Sequence, residues 1–116
     1  MKHIKAHNVG FLAEKWNVKP IAEFAQQHQV GKGNTTISTE NGTTRVTFHE
    51  TVVVAFNDKK IVLDSGGWLS TTTKTRMNQA SNQFDLGYQV FQQRGEWFVF
   101  YKTQTVKFKD GMVLPR

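Results

Sequence analysis

The chain has 116 residues, 38% hydrophobic and 21% charged, which fits one folded domain with a single modest core and excludes a two-lobed enzyme with a cleft between domains. Fifteen Lys and Arg against nine Asp and Glu leave a net charge of +6 and an isoelectric point near 9.8, a balance that favours anionic partners. Cysteine is absent, which excludes disulfides, thiolate metal sites and cysteine nucleophiles and fits a reducing compartment.

Residues 1–30 read as a helical segment. The opening MKHIKAHNVG has no apolar run long enough for a signal peptide or a membrane span, so a cytoplasmic protein is expected. In KPIAEFAQQHQV, Pro20 suits a first helical position, and Ile21, Phe24, Ala25 and His28 fall at i, i+3, i+4 and i+7. VGFLAEKWNV before it places Phe11, Leu12 and Trp16 on one side of a further turn. A helix-turn-helix is disfavoured, because the second helix carries Glu23 and glutamines but no Arg or Lys to meet phosphate or guanine. Residues 31–44, GKGNTTISTENGTT, hold one apolar side chain, Ile37, and read as a polar linker or a weak hairpin turning at ENG. GKGNTT lacks the glycine spacing and the preceding strand of a phosphate-binding loop.

Residues 45–116 read as an α+β domain in β-β-α-β-β order, a four-stranded antiparallel sheet packed by one helix and preceded by the short helical N-terminal segment. TVVVAF and KIVLD are β-branched runs around NDK, a hairpin signal, and an edge position for TVVVAF would support a weak homodimer. From about Thr72 to Phe84, Met77, Ala80 and Phe84 form a narrow helical stripe, with Ser70, Thr71 or Thr72 as the N-cap and Gly87 as the stop. Trp68 is expected to pack beneath that stripe. YQVFQQRGEWFVFYKTQTVKF supplies two more strands around Arg94-Gly95, and MVL is expected to extend one edge as a last short strand.

The helix start carries the clearest functional pattern. On either side of the Met77 stripe, Lys74, Asn78 and Asn82, and Arg76, Gln79 and Gln83, are expected to face solvent, with the hydroxyls of Thr71, Thr72 and Thr73 at the first turn. Arg, Lys, Asn and Gln pair with phosphates and base edges, and free N–H groups at a helix start favour an anion. Basic residues at the positive end of the helix dipole are locally unfavourable, which points to function; the same residues also serve as ordinary caps and solvated faces. Arg94, Lys102 and Lys107 interleave with the aromatics of the last half and are further candidate contacts, although sheet cores share that composition.

His3, His7, His28 and His49 are scattered, and no H-E-x-x-H, C-x-x-C or G-x-S-x-G motif occurs, so neither an enzyme, a metal site nor a cofactor is expected. The run from VLDSGGWLSTTTKTRMNQ to GEWFV, about a third of the chain, resembles a family of small bacteriophage and prophage proteins through G-G-W, T-T-K-x-R-[MI]-N and W-[FY]-V. Gly66, Gly67, Trp68, Thr72, Thr73, Lys74, Arg76, Asn78 and Trp97 are the matching positions. The resemblance implies a phage origin, and hence the host cytoplasm, together with a shared β-β-α-β-β unit and no particular activity. In that setting the first expectation is a non-catalytic accessory protein that binds DNA or RNA through residues 70–83. The second is an anti-defence inhibitor, such as an anti-CRISPR protein, that binds a host nuclease or nucleoprotein complex.

Overall fold

The computed structural model describes residue 30 and residues 33–116. Within them lie eight strands and one helix: β1 (Thr35–Glu40), β2 (Thr43–Phe48), β3 (Thr51–Phe56), β4 (Lys60–Leu63), α1 (Thr71–Gln83), β5 (Tyr88–Gln93), β6 (Glu96–Tyr101), β7 (Gln104–Lys107) and β8 (Met112–Pro115). The helical segment expected over residues 1–30 lies outside the described residues, apart from Val30.

The expected single four-stranded sheet does not form, and the fold is mostly β. One antiparallel sheet has five strands in the order β1-β2-β3-β4-β8, and a second is the three-stranded meander β5-β6-β7. Two things defeat the simpler reading. TTISTE and TTRVTF are polar, yet threonine suits a pleated surface, and both become strands joined by the two-residue turn Asn41-Gly42. The run expected to be one strand after Glu96 folds back at Lys102-Thr103, where φ is 49° and 63°. That turn is of the same left-handed kind as Asn41-Gly42 and Arg94-Gly95 but carries no glycine to announce it. TVVVAF is β3, hydrogen-bonded on both sides, so the dimer expected through it has no free edge to use.

Register explains the core. Ile37, Val46, Val54, Leu63 and Met112 are partners across all five strands, as are Thr39, Thr44, Phe56, Ile61 and Leu114 one step along. These two rows share a face. Between Val46 and Thr47 the pairing with β3 slips, leaving Val53 without a partner, and both Val53 and Val54 are fully buried. Against the rows pack Met77 and Ala80 of α1 and Tyr88, Val90, Trp97, Val99, Tyr101 and Val106 of the smaller sheet, closing one core. Full burial of each Val, Leu or Ile there stabilises the fold by about 1.5–3 kcal/mol. Phe91 and Phe98, on the other face of the smaller sheet, are also buried, their rings 5.6 Å apart. The candidate stacking aromatics of the last half are thus mostly interior.

Candidate functional site

Helix α1 begins at Ser70, whose side chain accepts the Thr73 N–H at 3.1 Å and lies 3.0 Å from the Thr73 hydroxyl. The face expected to be solvated is largely not. Thr73, Lys74, Asn78, Gln79 and Ser81 are buried, whereas Thr71, Thr72, Asn82 and Gln83 are exposed and Arg76 is half-buried. The reason lies in β5, the outer strand of its sheet, whose free backbone groups need partners. Asn78 Nδ2 donates to the Val90 carbonyl at 2.8 Å, and its Oδ1 accepts the Val90 N–H at 2.7 Å. Ser81 Oγ donates to the Tyr88 carbonyl at 2.6 Å and accepts the Tyr88 N–H at 3.1 Å. Lys74 Nζ continues the series to Gln92 Oε1 at 3.2 Å and sits 5.5 Å from the centroid of the Trp97 ring. Positions 74, 78 and 81 lie on one helical stripe and meet positions 92, 90 and 88 of β5 in antiparallel order. The stripe therefore acts as a substitute strand. Burial lowers the Lys74 pKa from its usual 10.5. It also holds Tyr88, which donates to the Met77 carbonyl at 2.6 Å, well above its usual 10.0.

The other proposed contacts do not converge on one patch. Arg76 points toward β1, donating to Thr35 Oγ1 at 2.9 Å and Gln79 Oε1 at 3.1 Å, with its guanidinium 5.7 Å from the Phe48 ring centroid. Gln83 Oε1 accepts the Val30 N–H at 2.8 Å. Arg94 and Lys102 occupy turns at opposite ends of β6, and Lys107 is paired with Glu96 at 2.8 Å.

What the structure does assemble at the helix start is a groove of about 910 Å³. The β2–β3 turn (Phe48, His49, Glu50, Thr51) forms one wall, and Trp68 with Ser70, Thr72 and Thr73 forms the other, over Val53 and Ser65. Gly66 makes this possible. Its φ is +65°, and a methyl added there would lie 2.5 Å from Thr51 Oγ1, so only glycine lets the 64–67 turn dock this closely on β3. Side chains then fix the turn: Asp110 Oδ1 accepts both the N–H and the hydroxyl of Ser65 at 2.7 Å, and Asp64 Oδ1 accepts the Gly66 N–H at 2.7 Å. Trp68 and Ser70 are held through backbone bonds to Ser65 and Trp68 respectively, at 3.0 and 2.9 Å. Yet the Trp68 side chain is 72% exposed and Leu69 59%. The expectation that Trp68 packs beneath Met77 and Phe84 is therefore corrected: Phe56 takes that place, its ring 5.0 Å from Phe84.

Of the residues singled out from sequence, Thr72 and Thr73 line the groove and Thr71 stands exposed beside it. His49 and Glu50 are new. No local motif marks them, because the contact of Gly66 with Thr51 that builds the wall joins segments distant in sequence. The hydroxyls of Ser70 and Thr73 engage each other, and that of Ser65 donates to Asp110. Among the described residues, no three His, Cys, Asp or Glu side chains gather as metal ligands, and no helix is long and apolar enough to cross a membrane. Residues 13–115 match the family described as Kyanoviridae Gp96 protein. No curated protein and no solved structure matches the chain.

Proposed function

The chain belongs to the Kyanoviridae Gp96 protein family, a bacteriophage family, and on that premise we propose that it is a non-catalytic accessory protein that holds a nucleic-acid strand in the groove at the start of α1. The observation that carries the reading is Trp68, 72% exposed on a backbone tied down on both sides. An indole kept in water on a rigid turn is a stacking surface, and a base can stack on it whatever its sequence. Beside it, the first turn of α1 offers the Thr71 and Thr72 hydroxyls and helix-start N–H groups to a phosphate, and the net charge of +6 draws a polyanion to the molecule. The amides of Asn78 and Gln79, buried in the fold, are not assigned to base reading.

The test is titration of the folded chain with labelled single-stranded DNA and RNA at several salt concentrations. Binding should weaken steeply with salt, and Trp68→Ala should cost about 1–3 kcal/mol of affinity, roughly 5- to 150-fold, for every sequence alike. Absence of binding at low salt, or an unchanged affinity in a folded Trp68→Ala variant, rejects the reading. One observation favours the alternative of an anti-defence inhibitor acting by protein contact: Leu69, 59% exposed, extends the apolar surface of Trp68 and offers nothing to a base or phosphate. Salt-tolerant binding to a host nucleoprotein complex, weakened by Leu69→Ala as much as by Trp68→Ala, would replace the first reading with the second.

A further inference from the structure

The outer strands of the two sheets are not treated alike. The side chains of α1 close β5. β7 is four residues long and carries Lys107, and β8 is four residues long, ends at Pro115, which has no N–H, and is flanked by Lys109 and Arg116. These are the devices by which sheet edges are kept from pairing. Among the described residues, β1 has none of them. It is six residues, TTISTE, in unbroken register with β2, without Lys, Arg or Pro, and exposed from Thr36 to Glu40. Ile37 belongs to the core-facing row with Val46, yet it is 41% exposed because the row runs past the cover of the helix.

We propose that β1 pairs with β1 of a second copy of the chain, antiparallel about a two-fold axis at Ile37, joining the two five-stranded sheets edge to edge. The register follows from the turn. A two-residue hairpin loop at Asn41-Gly42 makes Glu40 and Thr43 a hydrogen-bonded pair, so Ser38 and Thr36 also bond inward to β2. The backbone groups of Thr35, Ile37 and Thr39 therefore point outward. Centred on Ile37, these three residues meet Thr39, Ile37 and Thr35 of the second copy, and every outward N–H and C=O finds a partner. The two Ile37 side chains then cover each other on the core-facing side, extending an apolar row that is otherwise cut off. Glu40 falls opposite Asn34, so no like charges meet, which is the complementarity that a self-pairing edge requires. A contact of one strand buries less than the roughly 1,000 Å² of a strong interface, so the dimer is a weak one.

The experiment is sedimentation velocity on the full chain over about a hundredfold range of concentration, with two kinds of variant. The wild type should pass from monomer toward dimer. Ile37→Lys, which sets two like charges directly opposite each other, should weaken self-association by about tenfold or more at an unchanged melting temperature. Because the chain has no cysteine, single replacements report the register. Under mild oxidation Ile37→Cys should cross-link, its two α-carbons being about 5.5 Å apart in a hydrogen-bonded pair, whereas Glu40→Cys, about 20 Å from its mate, should not. A monomer at every concentration, self-association untouched by Ile37→Lys, or cross-linking through Glu40→Cys instead of Ile37→Cys would each overturn the proposal.

Discussion

Replacing Asn78 with alanine tests the role given to the helix. The side chain is 6% exposed and holds both backbone groups of Val90, a residue with no exposed surface, at 2.7 and 2.8 Å. Alanine leaves that N–H and C=O without partners on a buried strand edge, at about 1–3 kcal/mol each, so a loss of about 2–6 kcal/mol is expected. For a chain of this length, with a stability of the order of 5–15 kcal/mol, that is a large fraction. It corresponds to a fall in melting temperature of about 10–20 °C. Urea denaturation followed by far-ultraviolet circular dichroism gives the number directly, with Thr72→Ala, an exposed change expected within about 0.5 kcal/mol, as the control. Asn78→Asp adds a signature that packing alone would not produce. The carboxylate still accepts from Val90 N–H, but it faces the Val90 carbonyl, a partner it can satisfy only when protonated, so its folded pKa must rise. Stability should then fall as pH rises through the unfolded value near 3.9, with the loss complete above the folded value. An Asn78→Ala variant as stable as the Thr72→Ala control would refute the edge-closing role.

Other consequences are open to measurement. Gly66→Ala should cost about 2–4 kcal/mol, combining the left-handed backbone with a methyl driven against Thr51, and Thr51→Ala should return part of it in a double-mutant cycle. Trp68→Ala should leave the unfolding free energy in urea within about 1 kcal/mol of wild type, as an exposed side chain does, while weakening nucleic-acid binding by about 1–3 kcal/mol; a large destabilisation would return Trp68 to the core. Both tyrosines have raised pKa values, mainly through burial, so the unfolded chain loses their protons first and stability should decline above pH 10, by about 1.4 kcal/mol per unit for Tyr88 alone. Lys74, lowered by burial, acts in the opposite sense as pH approaches 10.5. Absorbance of tyrosinate should therefore appear together with loss of near-ultraviolet circular dichroism, and its appearance in the folded protein would contradict the burial of Tyr88.

The strands at 51–56 and 60–63, the helix and the Arg94-Gly95 hairpin are legible in sequence because their apolar residues recur at the period of the element they form. β1 and β2 are legible only as one of two readings of residues 31–44, the weak hairpin turning at ENG, since a threonine-rich strand with one apolar residue also has the composition of a loop. The division into two sheets is not legible either: Ile61 pairs with Leu114 across most of the domain, and no local pattern records that choice. At the site, the hydroxyl run and the paired glycines do mark the place where the groove forms. The helix face is hard to read from sequence for a physical reason. Polarity along α1 does not imply solvation, because a polar side chain can equally be spent on a strand edge, as Asn78 and Ser81 are, with Lys74 bonded to the Gln92 side chain beside them.

The substitute strand also has a mechanical meaning. A 13-residue helix is about 20 Å long, and its first turn forms a wall of the groove while the stripe from Lys74 to Ser81 is fastened along β5. Hydrogen bonds that lie across the direction of pull resist shear together rather than one at a time. A pull on the first turn of α1 is therefore delivered along the helix into the β5–β6–β7 meander as a shared load, and that turn cannot slide without breaking several bonds at once.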